Sequence, residues 1–174
     1  MQLLISGHNG FIGKNLCLML KEKGYTNIIR IEKKSTDEEL EDAIQKADFI
    51  FHLAGVNRPD DPKDFSLGNT IFTKKLLQIL KDKDKKTPIL FSSTTKAEEN
   101  SEYGVSKKKA EELIVDFAKE NNSDYFIFRL PNVFGKWSKP NYNSFVSTFC
   151  HNIANDLEIR IDDPQAKVSL VYID

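Results

Sequence analysis

Leu3-Leu4-Ile5-Ser6-Gly7-His8-Asn9-Gly10-Phe11-Ile12-Gly13 stands at the start of the chain and governs how the rest is read. Leu3 to Ser6 is a short, nearly continuous apolar run, as expected of a strand buried on both faces. The glycines follow at once. From Phe11 to Lys23 apolar residues return at helical spacing, and Gly24 is a helix stop. Strand, glycine turn and helix together form the context that a dinucleotide-binding turn requires. Gly7 permits the tight turn, Gly10 lets the backbone approach a pyrophosphate with no Cβ in the way, and Gly13 lets the helix pack closely on the sheet. The helix N-terminus, at Asn9, Gly10, Phe11 and Ile12, presents N–H groups and a positive dipole end to that anion. The spacing is G-x-x-G-x-x-G, a departure from the commoner G-x-G-x-x-G, and a glycine turn can also end a strand that binds nothing.

Outward from this turn the same alternation repeats. Apolar runs recur at Ile28 to Ile31, Phe49 to Ala54, Ile89 to Ser92 and Tyr125 to Leu130. Amphipathic segments lie between them at Asp37 to Ala47, Asn69 to Lys81 and Tyr103 to Glu120. Five β–α alternations predict an α/β fold with a doubly wound parallel sheet. The charged stretch Lys81 to Lys86 reads as a solvated helix end and loop. After Leu130 the pattern changes: Pro131 to Asn143 is loop-like, a helix is expected from about Ser144 to Asn155, and strands at Leu157 to Ile161 and Val168 to Ile173. The last strand runs into Asp174, which suggests a fold truncated before a substrate-binding region is complete.

The 174 residues suit one domain. With 25 Lys and Arg against 26 Asp and Glu, the net charge of −1 excludes a strongly basic protein that grips nucleic acid by phosphate neutralisation. No apolar stretch approaches the roughly 18 residues of a membrane span, and no secretory leader precedes the first strand. Cys17 and Cys150 lie far apart inside apolar patterns and read as reduced core thiols of a cytoplasmic protein. His8, His52 and His151 have no ligand-like spacing, so no metal is expected.

The end of the second strand should read the adenosine ribose. An acidic residue there favours NAD, and a basic one accommodates the 2′-phosphate of NADP. The stretch Ile31-Glu32-Lys33-Lys34-Ser35 carries both signals. Further on, Tyr103-Gly104-Val105-Ser106-Lys107 places Tyr103 and Lys107 on one helix face. A phenol with a pKa of about 10 is a poor acid or base near neutrality, and a nearby ammonium eases its proton exchange. Upstream, Phe91-Ser92-Ser93-Thr94-Thr95 ends a strand with hydroxyls that can bond a substrate carbonyl. The succession of glycine turn, strand-end hydroxyl and Tyr/Lys helix is far more specific than any one part.

Taken together, these motifs resemble the extended short-chain dehydrogenases/reductases of the nucleotide-sugar epimerase/dehydratase superfamily, with a Rossmann NAD(P)-binding fold over all 174 residues. The resemblance implies Thr94, Tyr103 and Lys107 as catalytic residues. It implies cofactor contacts at Gly7, Asn9, Gly10, Phe11, Ile12, Gly13, Glu32, Lys33 and Lys34. Further contacts are implied at Leu53, Ala54 and Gly55 after the third strand, at Asn69, at Ser92, at Tyr103 and Lys107 themselves, and at Pro131 and Val133 of Arg129-Leu130-Pro131-Asn132-Val133-Phe134-Gly135. Asn57, Arg58, Thr94 and Asn132 are implied on the substrate side.

A closer likeness lies in Ala54-Gly55-Val56-Asn57-Arg58-Pro59 and in Phe134 to Asn143. Both are similar to bifunctional capsular-polysaccharide enzymes that join a reductase domain to a C-terminal metal-binding cupin. This implies an NADPH-dependent reduction at C4 of a UDP-linked 4-keto-6-deoxy-N-acetylhexosamine, with NADP(H) preferred and NAD(H) the alternative, in a chain that lacks the cupin. Dimerisation through helices 69–81 and 103–120 is implied in the same way. Thr95-Lys96 replaces the Asp-Glu pair of the 4,6-dehydratases. A nucleotide-sugar epimerase and a non-catalytic NAD(P)-binding module or inactive fragment are the alternatives.

Overall fold

A computed structural model describes residues 1–61 and 63–174. Contacts divide it into two compact units, Met1–Arg129 and Leu130–Asp174.

The first unit alternates strands and helices: β1 (Leu3–Ser6), α1 (Phe11–Glu22), β2 (Ile28–Ile31), α2 (Asp37–Lys46), β3 (Phe49–His52), α3 (Lys63–Phe65), a π-helical turn (Ser66–Ile71), α4 (Phe72–Asp82), β4 (Ile89–Thr94), a 3₁₀ turn (Thr95–Glu98), α5 (Glu102–Asn121) and β5 (Tyr125–Leu130). The strands form one sheet in the order β2-β1-β3-β4-β5. β1 pairs in parallel with both β2 and β3, and β3 with β4. The chain reverses direction across the sheet between β2 and β3, so β1 and β3 are neighbours although a whole β–α unit separates them in sequence. In open α/β sheets ligands bind at such a switch point, beyond the carboxyl ends of the strands. Gly7 and Leu53 begin there.

All four residues of β1 are buried, because successive side chains point to opposite faces and both faces are packed. Leu4, Ile50 and Phe91 join Leu40, Ile44, Leu76, Leu80 and Ile114 from α2, α4 and α5. Leu3 and Ile5 pack with Leu20 and, partly buried, Leu16 and Cys17 of α1. The helix ends carry their own signals. Thr36 and Glu39 form a reciprocal capping box at α2, and Ser101 caps α5 through the Gly104 N–H. Asn122 ends α5 in the left-handed conformation at φ 51°. Gly24 follows α1 at φ 84°.

In the second unit β6 (Asn132–Phe134) pairs in parallel with β7 (Leu170–Tyr172), and α6 (Phe145–Ala154) lies between them in sequence. Three expectations are corrected here. The segment Leu157 to Ile161 is not a strand. Its first residues close the end of α6: the Leu157 N–H donates to Asn152 O at 2.8 Å, and Asn152 Nδ2 donates to Glu158 O at 2.8 Å. Backbone groups spent on a helix end are not offered to a ladder. Conversely, the stretch Pro131 to Asn143 contains β6, because Asn132 to Phe134 finds a partner in β7. Cys150 is exposed and Cys17 half-buried, so only Cys17 packs against a core.

Candidate active site

The glycine turn is a set of close approaches. A Cβ on Gly7 would stand 2.7 Å from Ala54 N, and the residue's φ of 76° also favours glycine. On Gly13 it would lie 2.3 Å from Gly7 O. Gly10 differs: its Cβ would meet only Gly7 O, at 3.2 Å, and it faces a cavity of about 770 Å³. Gly7, His8, Asn9, Gly10, Glu32, Lys33, Lys34, Leu53, Ala54 and Gly55 all line this cavity, beside Ile31, Leu40 and Phe72. The turn therefore presents the α1 N-terminus to open space, where free N–H groups and the dipole favour an anion. Phe11, Ile12 and Gly13 are not among the residues that line the cavity. They begin α1 and hold the turn from behind.

The ribose end holds a compact charge cluster. Glu32 accepts from Asn9 Nδ2 at 2.8 Å and pairs with Lys34 at 3.2 Å and His8 Nε2 at 3.4 Å. Hydrogen bonding to Lys34 and then to Asn9 pulls its carboxyl below the usual range. Both signals read from the sequence are thus present in one place, with the acid already engaged by Lys34, the His8 ring and the Asn9 amide. Lys75, on α4, and Asp37, on α2, form an ion pair at the same cavity.

Lys107 is 3% exposed. Its Nζ donates to Ser92 O at 2.9 Å and stands 4.6 Å from the centre of the Phe91 ring. Burial pushes its pKa down to about 8, while the charge of Glu111 acts in the opposite direction. A Cβ on Gly55 would come within 3.0 Å of this Nζ and 2.9 Å of Asn69 Oδ1. Gly55, which lines the cavity, thus lies directly against the ammonium. Thr94 ends β4, where its Oγ1 accepts from the Lys96 N–H at 3.2 Å. Tyr103 lies in the first turn of α5, half-buried, with its ring against Phe65. Burial raises its pKa, and a hydrogen bond with Thr94 pulls the other way. Thr94 and Tyr103 are thus hydrogen-bonded to each other, and Lys107 lies against Gly55 of the cavity lining.

Asn69 sits beside Gly55, 1% exposed. Its Oδ1 accepts from the Val56 N–H at 2.9 Å, and its Nδ2 donates to Val56 O and to Ser106 Oγ. It shapes the 55–56 loop and ties it to α5, rather than lining the cavity. It belongs to the π-helical turn, a rarity that often marks functional sites. Asn57 and Arg58 are exposed in the loop after β3, outside the cavity lining. Pro131, Asn132 and Val133 belong to the second unit, half-buried at β6.

Two residues were not singled out from the sequence for a site role. His52 is fully buried between Ser6 Oγ (2.9 Å to Nδ1) and Thr73 Oγ1 (2.8 Å to Nε2). Thr73 spends its own proton on Asn69 O at 2.6 Å, so it accepts from His52 Nε2–H, and Nδ1 accepts from Ser6. Burial, and then the Lys107 charge, lower the His52 pKa to about 3, which keeps the ring neutral. Glu111 is the second such residue. It is buried on α5 one turn after Lys107, and its position four residues on was the available signal.

Among the described residues no His, Cys, Asp and Glu grouping is suited to a metal ion, and no helix is long and apolar enough to cross a membrane.

A glycine turn at the switch point, beside a strand-end threonine and a Tyr/Lys helix, is the layout of nucleotide-sugar epimerases, dehydratases and reductases. Residues 3–174 match the NAD dependent epimerase/dehydratase family, and the chain belongs to it. It is 46% identical over 174 residues to a UDP-2-acetamido-2,6-beta-L-arabino-hexul-4-ose reductase of Pseudomonas aeruginosa, covering all of this chain and 47% of the relative. The capsular polysaccharide assembling protein CapF of Staphylococcus aureus superposes with a TM-score of 0.87 at 44% identity, over 99% of this chain and 47% of that one. The chain thus spans about half the length of these relatives. MoeE5, solved with UDP-glucose and NAD, shares the fold at 19% identity and a TM-score of 0.82, over 99% of this chain and 68% of that one.

Proposed function

We propose that the protein is an NADPH-dependent reductase that converts a UDP-linked 4-keto-6-deoxy-N-acetylhexosamine to its C4 alcohol, in the supply of capsular polysaccharide precursors. The observation that carries this reading is the buried Lys107, held by Ser92 O at 2.9 Å against Gly55 of the cavity lining, with Tyr103, on the same helix, bonded to Thr94. The likeness to the Pseudomonas aeruginosa reductase over the whole of this chain supports the choice of substrate class.

The cavity fits a dinucleotide, because Gly10 leaves it open where a branched side chain would intrude. The reduced nicotinamide, when bound, supplies hydride to C4. As negative charge develops on the C4 oxygen, Thr94 Oγ1 stabilises it by a hydrogen bond. Tyr103 donates the proton that completes the alcohol, as general acid. Lys107 holds the ribose hydroxyls and lowers the cost of the phenolate that Tyr103 becomes. Asn57, Arg58 and Asn132 are the proposed substrate contacts, and Pro131 and Val133 the proposed nicotinamide-side ones. NADPH is preferred because the Glu32 carboxylate is already engaged by Asn9, Lys34 and His8, leaving a 2′-phosphate to be met by Lys33 and Lys34.

Tyr103→Phe keeps the ring and removes only the proton donor. Turnover should fall by roughly 10²–10⁴-fold with cofactor affinity nearly intact. Near-native turnover would refute the mechanism. Fluorescence titration with NADPH and NADH tests the cofactor preference, and Lys33→Ala with Lys34→Ala should erase it. Tighter binding of NADH to the unaltered protein would reverse the assignment.

A further inference from the structure

We propose that Glu111 is a positioning residue for this site: it ties the end of β4 to α5 and stands as the counter-charge of Lys107. The inference rests on the reductase reading for its functional consequence, and on the geometry of one buried cluster for its substance.

Glu111 is 4% exposed, an unusual place for a carboxylate. Its oxygens are nevertheless saturated. Ser93 Oγ donates to Oε1 in a short bond. Arg129 Nε donates to Oε1 at 3.0 Å and Nη2 to Oε2 at 2.7 Å, a two-pronged pairing. The same guanidinium pairs with Glu98 of the 3₁₀ turn, and Glu98 also pairs with Lys108. Three elements that carry or flank the reacting groups are thereby clamped at one point. Ser93 is next to Thr94, Glu98 ends the 3₁₀ turn that Thr94 caps, and Glu111 is one helical turn after Lys107 and two after Tyr103.

The clamp has an electrostatic side. Lys107 is buried against the Phe91 ring and the Ser92 carbonyl of β4, Gly55, and Asn69 of the π-helical turn. The titratable and charged groups near it are His52 of β3, which is neutral, and Tyr103, Lys108 and Glu111 of α5, with Arg129 of β5 paired to the last. Among these Glu111 is the anion. Burial alone pushes its own pKa up, but the Arg129 and Ser93 hydrogen bonds outweigh that and hold it ionised. Its charge opposes the desolvation that brings Lys107 down to about 8. Take that charge away and Lys107 loses its proton at a lower pH.

Glu111→Gln keeps the shape and an acceptor for Ser93 while removing the charge. NADPH binding to the unaltered protein and to this variant is to be followed by fluorescence from pH 6 to pH 10. Binding to the unaltered protein should weaken as pH rises through about 8, where Lys107 loses its charge. In Glu111→Gln the midpoint should move toward acid by roughly one pH unit, with about five-fold weaker binding near pH 8. Ser93→Ala breaks one strut and leaves the charge, so its midpoint should stay in place. An unmoved midpoint in Glu111→Gln, or an equal move in Ser93→Ala, overturns the proposal.

Thermal melts over the same pH range read Lys107 without any cofactor. A lysine whose folded pKa lies below its unfolded value leaves the unfolded chain with more bound protons between the two, so stability rises with pH across that window. The rise should begin at lower pH in Glu111→Gln. If the unaltered protein binds no reduced dinucleotide while the melts shift as stated, the reductase reading fails and the role of Glu111 stands. If binding is seen and neither midpoint nor melt moves, the reverse holds.

Discussion

From Met1 to Arg129 the apolar residues of β1, β3 and β4 and the facing sides of α1, α2, α4 and α5 pack into two clusters, while Tyr125, Phe126 and Phe128 of β5 stay exposed. From Leu130 to Asp174, among the described residues, the buried side chain is that of Ser144 alone, while Phe145, Ile153, Leu157, Ile161 and Val168 are all exposed. The two stretches do not differ in having apolar residues. They differ in having somewhere to put them. In the first unit β1, β3 and β4 have a strand on each side, and helices pack on them. The second unit has a two-stranded sheet and one helix of 10 residues, too little to enclose a core of its own. The polar contacts of the candidate site follow the same division: Lys107, Asn69, His52 and Glu111 are all held by the first unit, where burial makes each hydrogen bond count.

Several substitutions sharpen or break this contrast. Phe91 is fully buried between His52 and Lys107, and Phe91→Ala should cost about 3–5 kcal/mol in chemical denaturation. Acid should act on the same core through His52. Its folded pKa of about 3 lies below its unfolded value, so the unfolded chain binds the extra proton first and stability falls as pH drops from about 6.5 toward 3. The loss should be on the order of a few kcal/mol, and His52→Asn should flatten it. Gly13→Ala forces a methyl to 2.3 Å from Gly7 O and should cost about 1–3 kcal/mol. Ile153→Ala, at a side chain 63% exposed, should change stability by less than about 0.5 kcal/mol. A cost for Ile153→Ala like that of Phe91→Ala would dissolve the distinction between the units.

What was legible in the sequence follows the same line. The order of β1 to β4 and of the helices between them could be read because their apolar periods match faces that are covered; β5 was read from its apolar run, although Tyr125, Phe126 and Phe128 are exposed. Thr94 at the strand end and Tyr103 and Lys107 at helical spacing could be placed from the sequence, and Thr94 and Tyr103 are hydrogen-bonded to each other. Glu111 was equally legible by spacing, yet a glutamate on a charged helix looks like surface until Ser93 and Arg129 are seen on it. Asn69 was named for cofactor contact, while its amide is spent on Val56 and Ser106. That depends on a loop conformation that no periodicity encodes. His52 was weighed only as a metal ligand, because its partners Ser6 and Thr73 lie 46 and 21 residues away. In the second unit the apolar run Leu157 to Ile161 has strand composition without a strand neighbour, and composition alone does not supply one.

Gly10 gives the most direct test that the cavity of the first unit holds a dinucleotide. Its backbone, at φ −73° and ψ 173°, is open to any residue, and a Cβ there meets only Gly7 O at 3.2 Å. Gly10→Val should therefore leave the thermal midpoint within a few degrees of the unaltered protein's, while the branched side chain fills the space required by a pyrophosphate. Fluorescence titration with NADPH should show binding weakened about a hundredfold or more, which corresponds to nearly 3 kcal/mol. Unchanged affinity in a folded Gly10→Val protein would contradict the assignment and leave the glycine turn a structural feature only.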